Sequence, residues 1–164
     1  MSTAPTTTAG VELFRHTLAA LAYRAGKAVR NAPAGFAAFR SMETVRAPGE
    51  ILAHVGDLMD WTLSILNNAP AWKSSPPLAW DEEVRHFHAA IGAVDASLAA
   101  GSPPSQTLNA LFQGPIADAF THVGQLTMLR RMAGDPVRGE NYFIADIQAG
   151  RVGPDQAPPK KEFG

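Results

Sequence analysis

Three residues of this chain have the types and spacing from which a metal centre could be assembled: His54, Asp118 and His122. Asp118 and His122 stand four positions apart, so on a helix their side chains lie one above the other and can reach a single ion. His54 would add a third group from a different helix. Two imidazoles and a carboxylate leave coordination positions open for water or substrate, as in catalytic rather than purely structural zinc, iron or manganese sites. The chemistry of such a centre is Lewis-acid. With no cysteine in the chain, thiolate nucleophiles, disulfides and zinc–thiolate sites are excluded, and metal ligands must come from His, Asp or Glu. A plainer assignment fits the same residues. Asp118 and His122 could form an intrahelical pair, and His54 could be a core histidine bonded to a backbone carbonyl. Periodicity places residues on a helix face but does not bring two helices together.

Other reactive residue types carry less. His86 and His88 are two apart, face different ways on a helix and cannot share an ion; His86 is expected to face solvent and His88 to flank an apolar stripe. His16 falls off the buried stripe of its helix. Arg130 and Arg131 could hold an acidic group, but a basic pair in the last turn of a helix is expected from the helix dipole alone. Gln125, one turn beyond His122 on the same side, is a candidate to orient that histidine. Trp61, Phe36, Phe39, Tyr142 and Phe143 are candidates for a pocket mouth, with simple packing as the alternative. No serine with a partnered base and no glycine-rich phosphate loop occurs, which argues against a metal-free hydrolase or a nucleotide enzyme and leaves catalytic residues beyond the metal ligands unassigned.

The elements that must position these residues are helices. Phe14, Leu18, Leu21 and Ala25 recur at helical spacing within a first helix over about 11–30. A breaker-rich stretch with Phe36 and Phe39 follows, expected to pack over one end of the molecule. Pro48, as a first-turn proline, opens a second helix to about Asn67, on which Ile51, His54, Leu58, Trp61 and Ile65 form one face, pointing His54 into the core. The third runs from Trp80, with acids in its first turn, to Ala100, turning Val84, Phe87, Ile91, Val94 and Leu98 inward. The fourth covers about 106–132, and Gly114-Pro115 should kink or divide it. Its nearly all-round apolar character suggests burial from more than one side. A short helix over about 141–148 and an extended tail complete the chain. The fold expected is all-α, a four-helix bundle with a short C-terminal helix.

Length and composition agree. At 164 residues the chain suits one compact domain, placed at about 11–153 between a polar lead-in (1–10) and a flexible tail (154–164). The 14 basic and 15 acidic residues, spread along the chain, give no electrostatic footprint for nucleic acid. No apolar run approaches the roughly 18 residues of a membrane span. The lead-in lacks the basic and apolar regions of a signal peptide, so a soluble, cytoplasmic protein is expected.

The segments Ile51-Leu52-Ala53-His54-Val55-Gly56-Asp57-Leu58 and Asp118-Ala119-Phe120-Thr121-His122-Val123-Gly124-Gln125-Leu126 resemble the DinB-like (DinB/YfiT) superfamily of metal-dependent enzymes. The resemblance extends from about Val11 to Gly153. It implies a four-helix bundle holding a divalent metal through one histidine of the second helix and two histidines, four apart, of the last. His54 and His122 match that pattern directly, while Asp118 stands where the commonest pattern has histidine. The exchange shifts the expected ion from zinc or nickel toward iron or manganese, because harder oxygen ligands suit those ions. The resemblance further implies a homodimer acting on a small-molecule substrate or a low-molecular-weight thiol, as a hydrolase or thiol S-transferase. The alternative is a non-catalytic dimeric bundle, a stress-associated metal- or ligand-binding protein.

Overall fold

The computed structural model describes residues 8–164. Most of the lead-in expected over 1–10 therefore lies outside the described residues. The Thr8 hydroxyl accepts the Val11 N–H at 3.3 Å and starts α1 (Ala9–Val29), so that Ala9 and Gly10 are already helical. After Arg30 the backbone turns through Asn31 (φ 53°) and Gly35 (φ 82°) into a single 3-10 turn, Phe36–Ala38. Helix α2 (Pro48–Leu66) begins on its proline, and the Glu50 carboxylate accepts the Ala47 N–H at 2.7 Å, the half of a capping box that an alanine cap leaves available. In α3 (Trp80–Ala100), Glu82 accepts the Ala79 N–H in the same way.

The Gly114-Pro115 break takes a specific form. Helix α4 (Ser105–Leu111) passes into a π-helical turn, Phe112–Ile116, and then into α5 (Ala117–Met132). Pro115 has no N–H to donate, and the next turn closes through Ala117 N–H bonding to Phe112 O, five residues back. The rods α1, α3, α2 and α5 contact one another in that cyclic order, with α2 and α3 sharing the most extensive interface. Their core holds Leu18, Leu21, Leu52, Met59, Phe87, Ile91, Leu98, Leu126 and Ile116, all fully buried. Helix α2 is central: Leu52, Val55 and Met59 are buried as well as Ile51 and Leu58.

Three expectations are corrected. Helix α5 is not apolar all round; it buries Ala119, Val123, Leu126 and Leu129 but exposes Thr121, Gln125, Met128 and Arg131. The short helix over 141–148 is only a 3-10 turn, Tyr142–Ile144: Phe143 is 97% exposed, so no apolar face exists to reward further turns. His54 does not point into the core but lies at its edge, with its side chain 23% exposed.

Polar side chains lock the rods and the C-terminal segment together. Arg15 makes a bidentate pair with Asp95, at 2.8 and 2.9 Å, between α1 and α3. Arg130, read from sequence as a helix-end charge, is buried and donates to the carbonyls of Ala28 (3.0 Å), Arg30 (2.9 Å) and Asn31 (3.4 Å) and to the Asp135 carboxylate. It clamps the end of α1 to the end of α5. The chain then runs back across the rods, burying Val152, whose carbonyl bonds to His88 Nδ1 at 3.2 Å. Burial holds the His88 pKa below the ordinary imidazole value, so the neutral ring serves as donor. A two-residue antiparallel ladder, β1 (Gly139–Glu140) with β2 (Glu162–Phe163), closes the chain, and Lys27 bridges both strands through Glu140 and Glu162, each at 2.8 Å. Among the described residues no helix is long and apolar enough to cross a membrane.

Candidate metal centre

His54 comes from the middle of α2, and Asp118 and His122 from the first two turns of α5. The two helices pack against each other, and one ligand atom from each of the three residues lies within 4.8 Å of the others. His54 Nε2 is 3.3 Å from Asp118 Oδ2, and His122 Nε2 is 3.4 Å from Asp118 Oδ1. The imidazole rings stand nearly perpendicular, at 86°, with centroids 4.7 Å apart.

An N–H···O hydrogen bond prefers about 2.9–3.0 Å. Ligands about 2.05 Å from a tetrahedral ion stand roughly 3.4 Å from one another. The observed 3.3 and 3.4 Å run to different oxygens of Asp118, so they are two long imidazole–carboxylate contacts, and the shared set, one ligand atom per residue, lies within 4.8 Å. The carboxylate offers one oxygen toward each imidazole, so it sits between the two helices' contributions.

Neighbouring contacts orient the three side chains. His122 Nδ1 lies 3.0 Å from Gln125 Oε1, an acceptor that places the ring proton on Nδ1 and frees Nε2 as a lone-pair donor. Thr121 Oγ1 donates to the Asp118 carbonyl at 2.7 Å and lies 3.5 Å from its Oδ1. Trp72 stands edge-on to His54, with centroids 5.8 Å apart, and Trp61 stands edge-on to Trp72 at 5.6 Å. The segment carrying Trp72 is pinned from below: buried Asp57 accepts the Ser75 N–H at 2.8 Å, and buried Glu83 accepts the Leu78 N–H at 2.7 Å.

Two concavities flank the three residues. A polar one of about 230 Å³ touches His54 and is lined by Glu50, Asp57 and Ser75. A larger, mainly apolar groove of about 670 Å³ runs along Met42, Val45, Met128 and Met132 and reaches Thr121 and Gln125. Arg46 borders both.

Of the residues singled out in the sequence, His54, Asp118, His122 and Gln125 converge. Trp61 stands one ring removed, behind Trp72. Phe36 is not at the site; it is buried beneath Trp80, edge-on at 5.4 Å, and beside Arg130. Tyr142 belongs to the C-terminal segment, against Tyr23 and Arg24. His16 is exposed, as expected, whereas His86 is not free in solvent: its Nε2 is 2.8 Å from Asp60 Oδ2 and its Nδ1 3.6 Å from buried Glu83. Burial lowers its pKa, but the bond and charge of Asp60, followed by those of Glu83, outweigh this and hold it above the ordinary imidazole value. Trp72 and Arg46 were missed. Trp72 had a signal: an aromatic in a proline-rich connection, the same feature that drew attention to Phe36. No family model, no curated protein and no solved structure matches the chain.

Proposed function

We propose that the chain is a divalent-metal-dependent enzyme of the DinB-like class, of hydrolase or thiol S-transferase type, with His54, Asp118 and His122 as the metal ligands. The observation that carries this reading is the convergence of one ligand atom from each of the three residues, on two helices, within 4.8 Å of one another. A divalent cation held there supplies Lewis-acid activation of water, a thiol or a carbonyl group. The protein's own contribution is positional. Gln125 fixes the His122 tautomer, and the Trp72 ring shields one side of His54. The half-exposed Asp118, at 47%, leaves the centre open to a small molecule. The groove along Met42, Met128 and Met132 suits the apolar part of a substrate, and Arg46 at its border suits an acidic group. The two-histidine, one-carboxylate set favours iron or manganese over zinc or nickel.

The test is elemental analysis of protein purified without chelators, alongside His54→Ala, Asp118→Ala and His122→Ala. Near-stoichiometric divalent metal is expected in the wild type and a loss in each variant, with folded helical spectra retained. Metal-free wild type, or variants that keep their metal, would overturn the assignment. Turnover of ester and thiol-acceptor probes by the loaded protein then separates an enzyme from a metal-binding bundle.

A further inference from the structure

A second concave site lies across α5 from the metal ligands. Each helix position turns by about 100°. Phe120, Thr127 and Arg131 therefore face roughly opposite Asp118 and His122. They form one wall of a cavity of about 330 Å³, at the small end of ligand-pocket sizes. Arg24 and Lys27 of α1 form a second wall, and Arg138 and Tyr142 of the C-terminal segment a third.

Four cations from three segments thus share one small cavity, in a chain whose formal net charge is -1. Two are already compensated. Lys27 lies 2.8 Å from both Glu140 and Glu162, and Arg138 lies 3.9 Å from Glu162. Among the described residues, neither Arg24 nor Arg131 has a carboxylate within ion-pair distance or a protein acceptor for its guanidinium N–H groups.

Arg24 is nevertheless held in place. Its guanidinium stacks on the Tyr142 ring, 3.9 Å from the centroid, which fixes the plane and leaves the N–H edges unused. Tyr142 is in turn set edge-on against buried Tyr23, whose hydroxyl donates to Glu140 at 2.6 Å. A stacked arginine with free donors, lining the same partly apolar cavity as a second arginine without an ion-pair partner, suits a planar or tetrahedral oxyanion.

We propose that this cavity binds a small organic anion. Its phosphate- or carboxylate-type group sits between Arg24 and Arg131, and its apolar body lies against Phe120, Val123 and Tyr142. The site is separate from the metal centre and stands or falls independently of it.

Calorimetric titration of the full chain with phenyl phosphate and with phthalate, at ~150 mM salt so that diffuse attraction is screened, tests the assignment. The comparison set is Arg24→Gln, Arg131→Gln and the double variant His54→Ala/His122→Ala. Both arginines are exposed, so the substitutions leave the core intact. Binding of either probe that weakens about tenfold or more in each arginine variant, and persists in the histidine double variant, is the expected result. The tighter probe identifies the oxyanion. Absence of binding by both probes, equal binding by wild type and arginine variants, or binding lost with the histidines would each overturn the proposal.

Discussion

Removing the acceptor that orients His122 should weaken the proposed centre without touching a ligand. In Gln125→Leu the 3.0 Å contact to His122 Nδ1 disappears, and the ring loses both its fixed tautomer and its rotational restraint. Loss of such an outer partner typically costs about 10- to 100-fold in metal affinity. Gln125 is exposed, so water can replace it in part, and the lower end, about tenfold, applies here. At free metal of about 100 times the wild-type Kd, binding stabilises the fold by ~2.7 kcal/mol; a tenfold weaker site retains ~1.4 kcal/mol under the same conditions. The difference of about 1.3 kcal/mol corresponds to a Tm lower by roughly 3–5 °C for a chain of this size. Competition against a chromophoric chelator reads the affinity, and thermal melts with and without metal read the stability. Gln125→Glu, which keeps an acceptor and adds charge, should bind metal at least as tightly as the wild type. An affinity for Gln125→Leu within twofold of the wild type would refute the orienting role of Gln125.

Arg130→Ala should cost about 3 kcal/mol, because three carbonyls at the end of α1 lose a charged donor while the half-exposed Asp135 rehydrates; chemical denaturation reads it, and Arg130→Lys should recover only part, lacking the fork. The Asp60–His86–Glu83 cluster predicts a pH signature. The folded pKa of His86 lies above its unfolded value, so its stabilisation is fully present below about pH 6.5 and is lost as pH rises through the folded pKa. The stability gap between wild type and His86→Gln should therefore narrow on going from acid to mildly alkaline pH, and a gap that widens would contradict the assignment. In Gly56→Ala the new Cβ would stand 2.8 Å from His86 Cε1 and Nδ1, displacing the ring; denaturation should show about 1–3 kcal/mol of destabilisation and loss of that pH signature.

The rods were legible because their signals are local. Pro48, Glu50 and the Trp80 acids mark starts, and the three-to-four spacing of Phe14, Leu18 and Leu21 marks a buried face, whereas the Thr8 cap fell inside the expected lead-in. The same spacing could nominate Asp118 with His122 but said nothing about their distance from His54, which depends on how α2 meets α5. Long-range partners explain the misreadings. Arg130 satisfied a local rule at a helix end, while its acceptors lie about a hundred positions away. Phe36 and Tyr142 were credible pocket aromatics until tertiary packing assigned one to Trp80 and the other to Arg24. His86 looked solvent-facing from its own helix because Asp60 belongs to another.

The π turn at Phe112–Ile116 acts as a phase shifter. One extra residue in a turn rotates everything downstream by about 100° relative to a continuous α-helix. Leu108 and Leu111 upstream, and Val123 and Leu126 downstream, are each buried. The orientation of Asp118 and His122 toward α2, and of Arg131 toward the cavity it lines with Arg24, consequently depends on this single turn. A one-residue deletion there would keep Asp118, His122 and Arg131 in the sequence and swing both faces of α5 away from their neighbours at once.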